Sequence, residues 1–418
     1  MLERYFVRPT TVDRIRATWL GESIECYVTW LAEQDYSARC VQSRVPVLVQ
    51  FSEFTRQRGA TTVREAAPHV DEFVDTWVSE HGGASPRAGF AKEIRGPVEQ
   101  MLRLVVPGFR GRGRPRSDTH PFRERAPGFF AYLREERGLR DASIQQYDHQ
   151  LKCFETYLAR IDLHDLSALS PPILSAFMTR RSGGLSQSSV TGACVCLRVF
   201  LRYLAREGHA ASDLSSVIES PRTYRLAALP RSISWEEVRR VLEIVDRRSP
   251  GGRRDYAILL LLVTYGLRAR EVAALTIDDI DWRQERLRIP ERKAGHSTAY
   301  PLSPIVGEAV LSYLQHGRPD SAERFVFFRV VAPFRPLGHA AISSRAAHYL
   351  RRAGVVVPRP GSHTLRHTCV QRLVDAEFSL KVIGDYVGHR AAASTEIYSK
   401  VAVETLRQIA LGDGEDVL

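Results

Sequence analysis

Lysine is almost missing from this chain. Of its 59 lysines and arginines only five are lysine, at positions 92, 152, 293, 381 and 400, so arginine carries nearly all the positive charge and each lysine needs a reason of its own. Paired cysteines are also wanting: Cys26, Cys40, Cys153, Cys194, Cys196 and Cys369 include no CxxC pair and no zinc-ligand spacing. That excludes a zinc finger or a dithiol redox motif and leaves buried thiols in a reducing compartment. Long apolar runs are absent as well. The longest covers residues 257–263, far below the roughly 20 residues a membrane-spanning helix needs, and no signal-peptide pattern opens the chain. A soluble, cytoplasmic protein without membrane association is expected. Finally, no acidic cluster has the spacing of a two-metal nuclease, so neither a metal nor any other cofactor is expected.

What is present points to a polyanion. The formal net charge is +11 and the isoelectric point about 9.5, the electrostatic footprint of a nucleic-acid partner. With 418 residues, 44% of them hydrophobic, the chain has material for two or three domains with cores of their own.

Residues 12–107 read as helical and resemble a stretch further along the chain. Laid over residues 131–158 at an offset of 103, residues 26–54 place Val41 on Ile144, Leu48 on Leu151, Phe51 on Phe154 and Phe54 on Tyr157. At an offset of 104, Pro68, Val70 and Phe73 fall on Pro172, Leu174 and Phe177. Two copies of one small helical domain are expected, at 1–107 and 128–212. Between them residues 108–127 are dominated by glycine, proline and arginine without hydrophobic period, the composition of a flexible basic linker. Its Arg112-Gly113-Arg114-Pro115 suits either a minor-groove hook or a solvated tether that touches phosphates without reading sequence. The second copy ends on an apolar stripe, Val190, Leu197, Phe200, Leu201 and Leu204, flanked by Arg198, Arg202 and Arg206. Those arginines line either a wet helix face or a DNA backbone. A Ser/Pro-containing connector, 213–232, leads to Ser234-Trp235-Glu236-Glu237, a helix start that opens a third domain at 233–418.

That domain holds the chemistry. Residues 255–265 predict an apolar helix stopped at Gly266. Arg268 comes next at the break, placed to reach a cleft or to cap the preceding carbonyls, with Glu271, Ala274 and Leu275 on a new helix. Residues 286–302, RLRIPERKAGHSTAYPL, predict two short strands around a turn with Lys293 near its tip, a solubilising charge or a proton donor. Residues 361–401 read GSHTLRHTCVQRLVDAEFSLKVIGDYVGHRAAASTEIYSKV. Here Leu365, Val370, Leu373, Leu380, Ile383 and Val387 recur at helical spacing, and His363, Arg366, His389 and Tyr398 stand out as groups a core does not need. A helix beginning near Ser362 puts His363 and Arg366 on one face of its first turn, where N–H groups and the dipole favour an anion.

Together these groups suit a phosphodiester. Two arginines can clamp its nonbridging oxygens and stabilise the extra charge of a pentacoordinate transition state. Histidines can move protons near neutral pH, and a tyrosine supplies a nucleophile that also leaves well. A lysine can protonate a departing oxygen, which arginine, with a pKa above about 12, cannot.

In order and spacing, GLRAREVAAL at 266–275, the hairpin lysine, HTLRH at 363–367, GH at 388–389 and EIYSKV around Tyr398 resemble the motifs of the tyrosine recombinase, or phage integrase, family. His363 and His389 are 26 residues apart, and nine more lead to Tyr398. The resemblance covers 233–418 closely and 128–212 more loosely, as a core-binding domain. It implies a mainly α fold with a small β-sheet in the catalytic domain (α+β), preceded here by two helical core-binding-like domains. It implies that Arg268 and Arg366 hold the scissile phosphate, that Lys293 protonates the leaving 5′-hydroxyl, that His363 serves Tyr398 as acid or base, and that His389 is a further phosphate donor. Glu271 would support the arginine behind it, and Tyr398 would form a 3′-phosphotyrosyl link. The implied activity is site-specific recombination, in integration, excision or transposition of a mobile element. The implied partners are double-stranded DNA and a tetramer on paired sites, of this chain alone or with related recombinases, at the nucleoid. The tail, with Val401, Leu406 and Ile409 on one stripe, would dock on a neighbour or pack on its own domain. The front hundred residues depart from simple family members, and extended DNA contact is the role expected of them. Two rival readings are a type IB topoisomerase-like enzyme and a non-cleaving architectural subunit.

Overall fold

The computed structural model describes residues 1–82, 89–112, 120–222, 232–290 and 297–388. By backbone contacts the chain divides into two units, Arg112–Ala227 and Met1–Gly111 together with Ala228–Leu418. The described residues are mainly helical with one small sheet, and three large hydrophobic clusters organise them.

The first cluster belongs to α1 (Pro9–Ala17), α2 (Gly21–Glu33), α3 (Ala38–Gln57), α4 (Val63–Ala66), α5 (Val70–His81) and α6 (Phe90–Val105). Local chemistry starts these helices. Ser37 Oγ accepts from the Cys40 N–H at the head of α3, and Thr62 with Glu65 forms a capping box on α4. The second cluster belongs to α7 (Phe129–Glu135), α8 (Asp141–Arg160), α9 (Pro171–Ser182) and α10 (Gln187–Arg206). Positions aligned between the two stretches occupy like places. Val41 and Ile144, Leu48 and Leu151, Phe51 and Phe154, Val70 and Leu174, and Phe73 and Phe177 are all buried, and α3 and α8 both run for 20 residues.

The second module is larger than the sequence suggested. Phe122 and Ala126, inside the expected 108–127 linker, are buried in its core. The Phe122 N–H donates to Glu155 Oε1 at 2.8 Å, and Arg125 reaches the same oxygen at 3.0 Å. A glycine- and arginine-rich composition hid a short apolar anchor that needs only one aromatic ring and one carboxylate on α8. At the other end, inside the expected 213–232 connector, the short turn Ser215–Val217 packs on α10, and Ser215 and Ile218 are buried. Among the described residues α10 alone is long and apolar enough to cross a membrane. Its apolar residues form the core of this module.

The third cluster is built by α11 (Trp235–Glu243), α12 (Pro250–Thr264), α13 (Ala269–Ala274), α14 (Pro304–His316), α15 (His339–Arg352) and α16 (Ser362–Asp375), with α17 (Leu380–Val387) packing on α16 through Val370, Ile383 and Val387. Helix α11 opens on the Ser234–Glu237 capping box. Helix α12 opens on Ser249 with Pro250 in its first turn, earlier than the apolar run alone suggests, and is buried almost all round. Its Asp255 is a buried hub, accepting from Arg254 at 2.7 Å, Arg345 at 2.8 Å and the Tyr349 hydroxyl at 3.2 Å; a carboxylate so enclosed is tolerable only with this many donors. The sheet has strands β1 (Ile280–Asp281), β2 (Arg286–Ile289) and β3 (Thr298–Pro301) in antiparallel order 1-2-3. Leu287 pairs with Tyr300 and Ile289 with Thr298, which puts the buried Leu287, Ile289 and Tyr300 on one face.

Candidate active site

Helix α12 stops because Gly266 turns left-handed, with φ +59°. A Cβ there would lie 3.1 Å from Val387 Cγ1 and 3.2 Å from Cys369 Sγ, so the turn requires both the backbone freedom and the missing side chain of glycine. That turn brings α12, α16 and α17 to one place. Arg366, one turn into α16, is buried. Its guanidinium donates to the Gly266 carbonyl and, at 2.7 Å, to the Val387 carbonyl.

Arg268 arrives at the same helix end from the other side. Its Nη2 donates to the Gly388 carbonyl at 2.8 Å, while Glu271, buried at the start of α13, accepts from Arg268 Nη1 and from its backbone N–H, each at 2.8 Å. Two cations therefore sit on consecutive carbonyls at the negative end of α17, where the helix dipole favours them. Arg366 is sealed in and Arg268 keeps part of its side chain exposed.

His363 stands three residues before Arg366 with its ring open to solvent. Its pKa is lowered, first by the protein mass around it and then by the charges of Arg366 and Arg268. A lowered pKa keeps the imidazole neutral and able to accept a proton at neutral pH. Burial pushes the Cys369 thiol up to about 12, and its Sγ is spent on the Thr264 carbonyl at 3.4 Å. That thiol is protonated and has no nucleophilic role.

Of the residues singled out from sequence, the fold thus gathers Arg268, Glu271, His363 and Arg366. Lys293, His389, Tyr398, Arg114 and the tail stripe lie outside the described residues. Arg112 is exposed. Arg198 donates to Ser220 Oγ and Arg202 to Ser215 Oγ at 3.2 Å, so both arginines tie α10 to the segment behind it, a use that side-chain spacing alone does not reveal.

Sequence reasoning missed two features. Between α8 and α9 the second module has a cavity of about 1080 Å³, lined among others by His149, Lys152, Arg160, Arg180 and Arg181. Lys152 is held by Asp148 at 2.8 Å and Arg181 reaches Gln150 at 3.3 Å. The spacing of positions 145, 149, 152, 156 and 160 along one face of α8 was the available signal. The other is a set of three tyrosines around the arginine seat, Tyr265, Tyr300 and Tyr386, indistinguishable in sequence from ordinary core aromatics.

The chain is similar to known proteins in sequence and in fold. The model of the phage integrase family matches residues 231–405, and the model of the phage integrase N-terminal SAM-like domain matches residues 127–208. The protein y4rA of Sinorhizobium fredii, whose name describes an integrase/recombinase, is 29% identical over 388 residues, 92% of each chain. The tyrosine recombinase XerD of Yersinia pestis is 30% identical over 281 residues, covering 66% of this chain and 91% of its own. In fold, the chain resembles the XerH site-specific recombinase in a post-cleavage complex with palindromic difH, with TM-score 0.55, 16% identity, and coverage of 83% of this chain and 96% of the other. It also resembles a lambda integrase fragment, solved as a dimer on a core site, with TM-score 0.52, 18% identity, and coverage of 65% and 92%.

Proposed function

The chain belongs to the phage integrase family of tyrosine recombinases, and from that membership we propose how its own residues break and rejoin DNA. It is a site-specific recombinase. We assign Arg268 and Arg366 to the nonbridging oxygens of the scissile phosphate and Glu271 to holding Arg268. Tyr398 Oη attacks phosphorus while the bond to the 5′-oxygen breaks. His363, kept neutral by its surroundings, takes the tyrosine proton, and Lys293 gives one to the departing oxygen. His389, next in sequence after the carbonyl that Arg268 holds, adds a donor to the same phosphate. The products are a 3′-phosphotyrosyl strand and a free 5′-hydroxyl, and attack by a 5′-hydroxyl runs the step backward. The observation that carries this reading is the seating of two guanidiniums on consecutive carbonyls, Val387 and Gly388, beside His363. Such preorganised charge is what a phosphoryl transition state needs.

We read residues 1–107 as a second copy of the module at 120–218, and the basic cavity on α8 and α9 of the latter as a contact for the DNA backbone. Four protomers on two sites, at the nucleoid, would complete the exchange that serves a mobile element. The test is a duplex nicked near the cut so that cleavage cannot be reversed. Wild-type protein is expected to become covalently attached to it, and Tyr398→Phe to leave no attached product. A Tyr398→Phe protein that still attaches to DNA overturns the assignment.

A further inference from the structure

Three consecutive carbonyls end α17, and each accepts from a side chain of a different element. Val387 takes Arg366 at 2.7 Å, Gly388 takes Arg268 at 2.8 Å, and the carbonyl before them, that of Tyr386, takes the hydroxyl of Tyr300 on β3. Two of these donors belong to the proposed phosphate site and the third does not. Tyr300 is also part of a closed circuit. The Tyr386 hydroxyl donates to the Thr264 carbonyl at the end of α12 at 3.1 Å. The Tyr265 hydroxyl, on the next residue, donates to the Pro301 carbonyl on β3 at 3.0 Å and accepts from the Ser303 N–H at 2.8 Å. The rings also touch in sequence, Tyr265 tilted on Tyr300 at 5.1 Å and Tyr300 edge-on to Tyr386 at 5.0 Å. Strand β3, helix α17 and helix α12 are thus tied to one another by three hydroxyls, each landing on main chain.

If these rings only filled space, phenylalanine would fill it without the cost of enclosing hydroxyls. The hydroxyls matter because of where they land. A helix leaves its last carbonyls without intrahelical donors, and an enclosed carbonyl without a donor competes for the nearest N–H. Here the two carbonyls that follow already take the guanidiniums. We propose that Tyr300, supported by Tyr386 and Tyr265, is a positioning residue for the recombination chemistry. It occupies the Tyr386 carbonyl and fixes the end of α17, and with it the two carbonyls on which Arg366 and Arg268 are seated. This inference rests on the assignment of those arginines to the scissile phosphate.

Tyr300→Phe keeps the ring and removes the hydroxyl. On a nicked duplex bearing the cut site mapped with wild-type enzyme, its single-turnover rate of covalent attachment is expected to fall about tenfold with DNA affinity unchanged. The same duplex with a methylphosphonate at the cut carries no charge for the arginines to neutralise. There the gap between wild type and Tyr300→Phe is expected to close to within about twofold, which a general loosening of the domain would not produce. Tyr386→Phe, which frees the Thr264 carbonyl, should repeat the pattern and stands in if Tyr300→Phe does not fold. Wild-type rates in both variants, or equal losses on both substrates, overturn the proposal. Arg366→Ala separates the two layers: if its loss also fails to close on the methylphosphonate, the phosphate assignment fails, and if only the tyrosine variants fail to close, the tyrosine circuit alone is wrong.

Discussion

In the first helical module Phe73 meets Phe51 at 5.2 Å and Phe54 at 5.3 Å; in the second, Phe177 meets Phe154 at 4.9 Å and Tyr157 at 5.3 Å. The anchors beneath them correspond as well. Ser52 Oγ accepts from the Leu20 N–H where Glu155 accepts from the Phe122 N–H. Outside the cores the likeness ends. At the offset of 103, His149, Lys152 and Arg160 of the α8 cavity face Pro46, Val49 and Gln57 of α3. Residues 1–107 contain 13 lysines and arginines against 14 aspartates and glutamates, whereas residues 108–222 contain 17 against 12. Packing constrains a core to close-fitting shapes, while a solvated face is free to take the charge its partner demands. The two modules therefore pack alike and differ in surface charge, and a deletion of residues 1–107 decides whether DNA contact extends into the first.

The strongest challenge to this comparison is to remove matching core rings. Phe51→Ala and Phe154→Ala should each destabilise their own module by about 3–5 kcal/mol, read as a lowered unfolding midpoint. Only Phe154→Ala should abolish DNA binding, and equal binding losses would undo the division of labour. A sharper cut replaces Lys152 and Arg180 with alanine. The slope of log affinity against log salt should shrink by about one for each phosphate no longer neutralised, while Arg56→Ala on α3 leaves it unchanged. The smallest effect is expected from deleting residues 1–107. The nuclease-protected footprint should stay the same length, and a shorter footprint would return the first module to DNA.

Much of this was legible in the chain because it is local. The Ser234 capping box, the α16 start at Ser362, the stop at Gly266 and the two short strands flanking residues 291–296 are set by neighbours within a few positions. The pairing of Arg268 with Glu271 lies within one helical turn. Composition misled where a single residue outweighed its surroundings, as Phe122 does amid glycine and arginine.

The residue types and their order came from sequence alone: the arginines, histidines, lysine and tyrosine that we propose handle the phosphate, spread over the last third of the chain. Folding decided that Arg268 and Arg366 meet on adjoining carbonyls and that Tyr300 occupies the carbonyl beside them. Those carbonyls are available only because α17 ends there, and which donors reach them depends on how α12, α16 and β3 close around that end, a matter of packing between segments that no local pattern encodes.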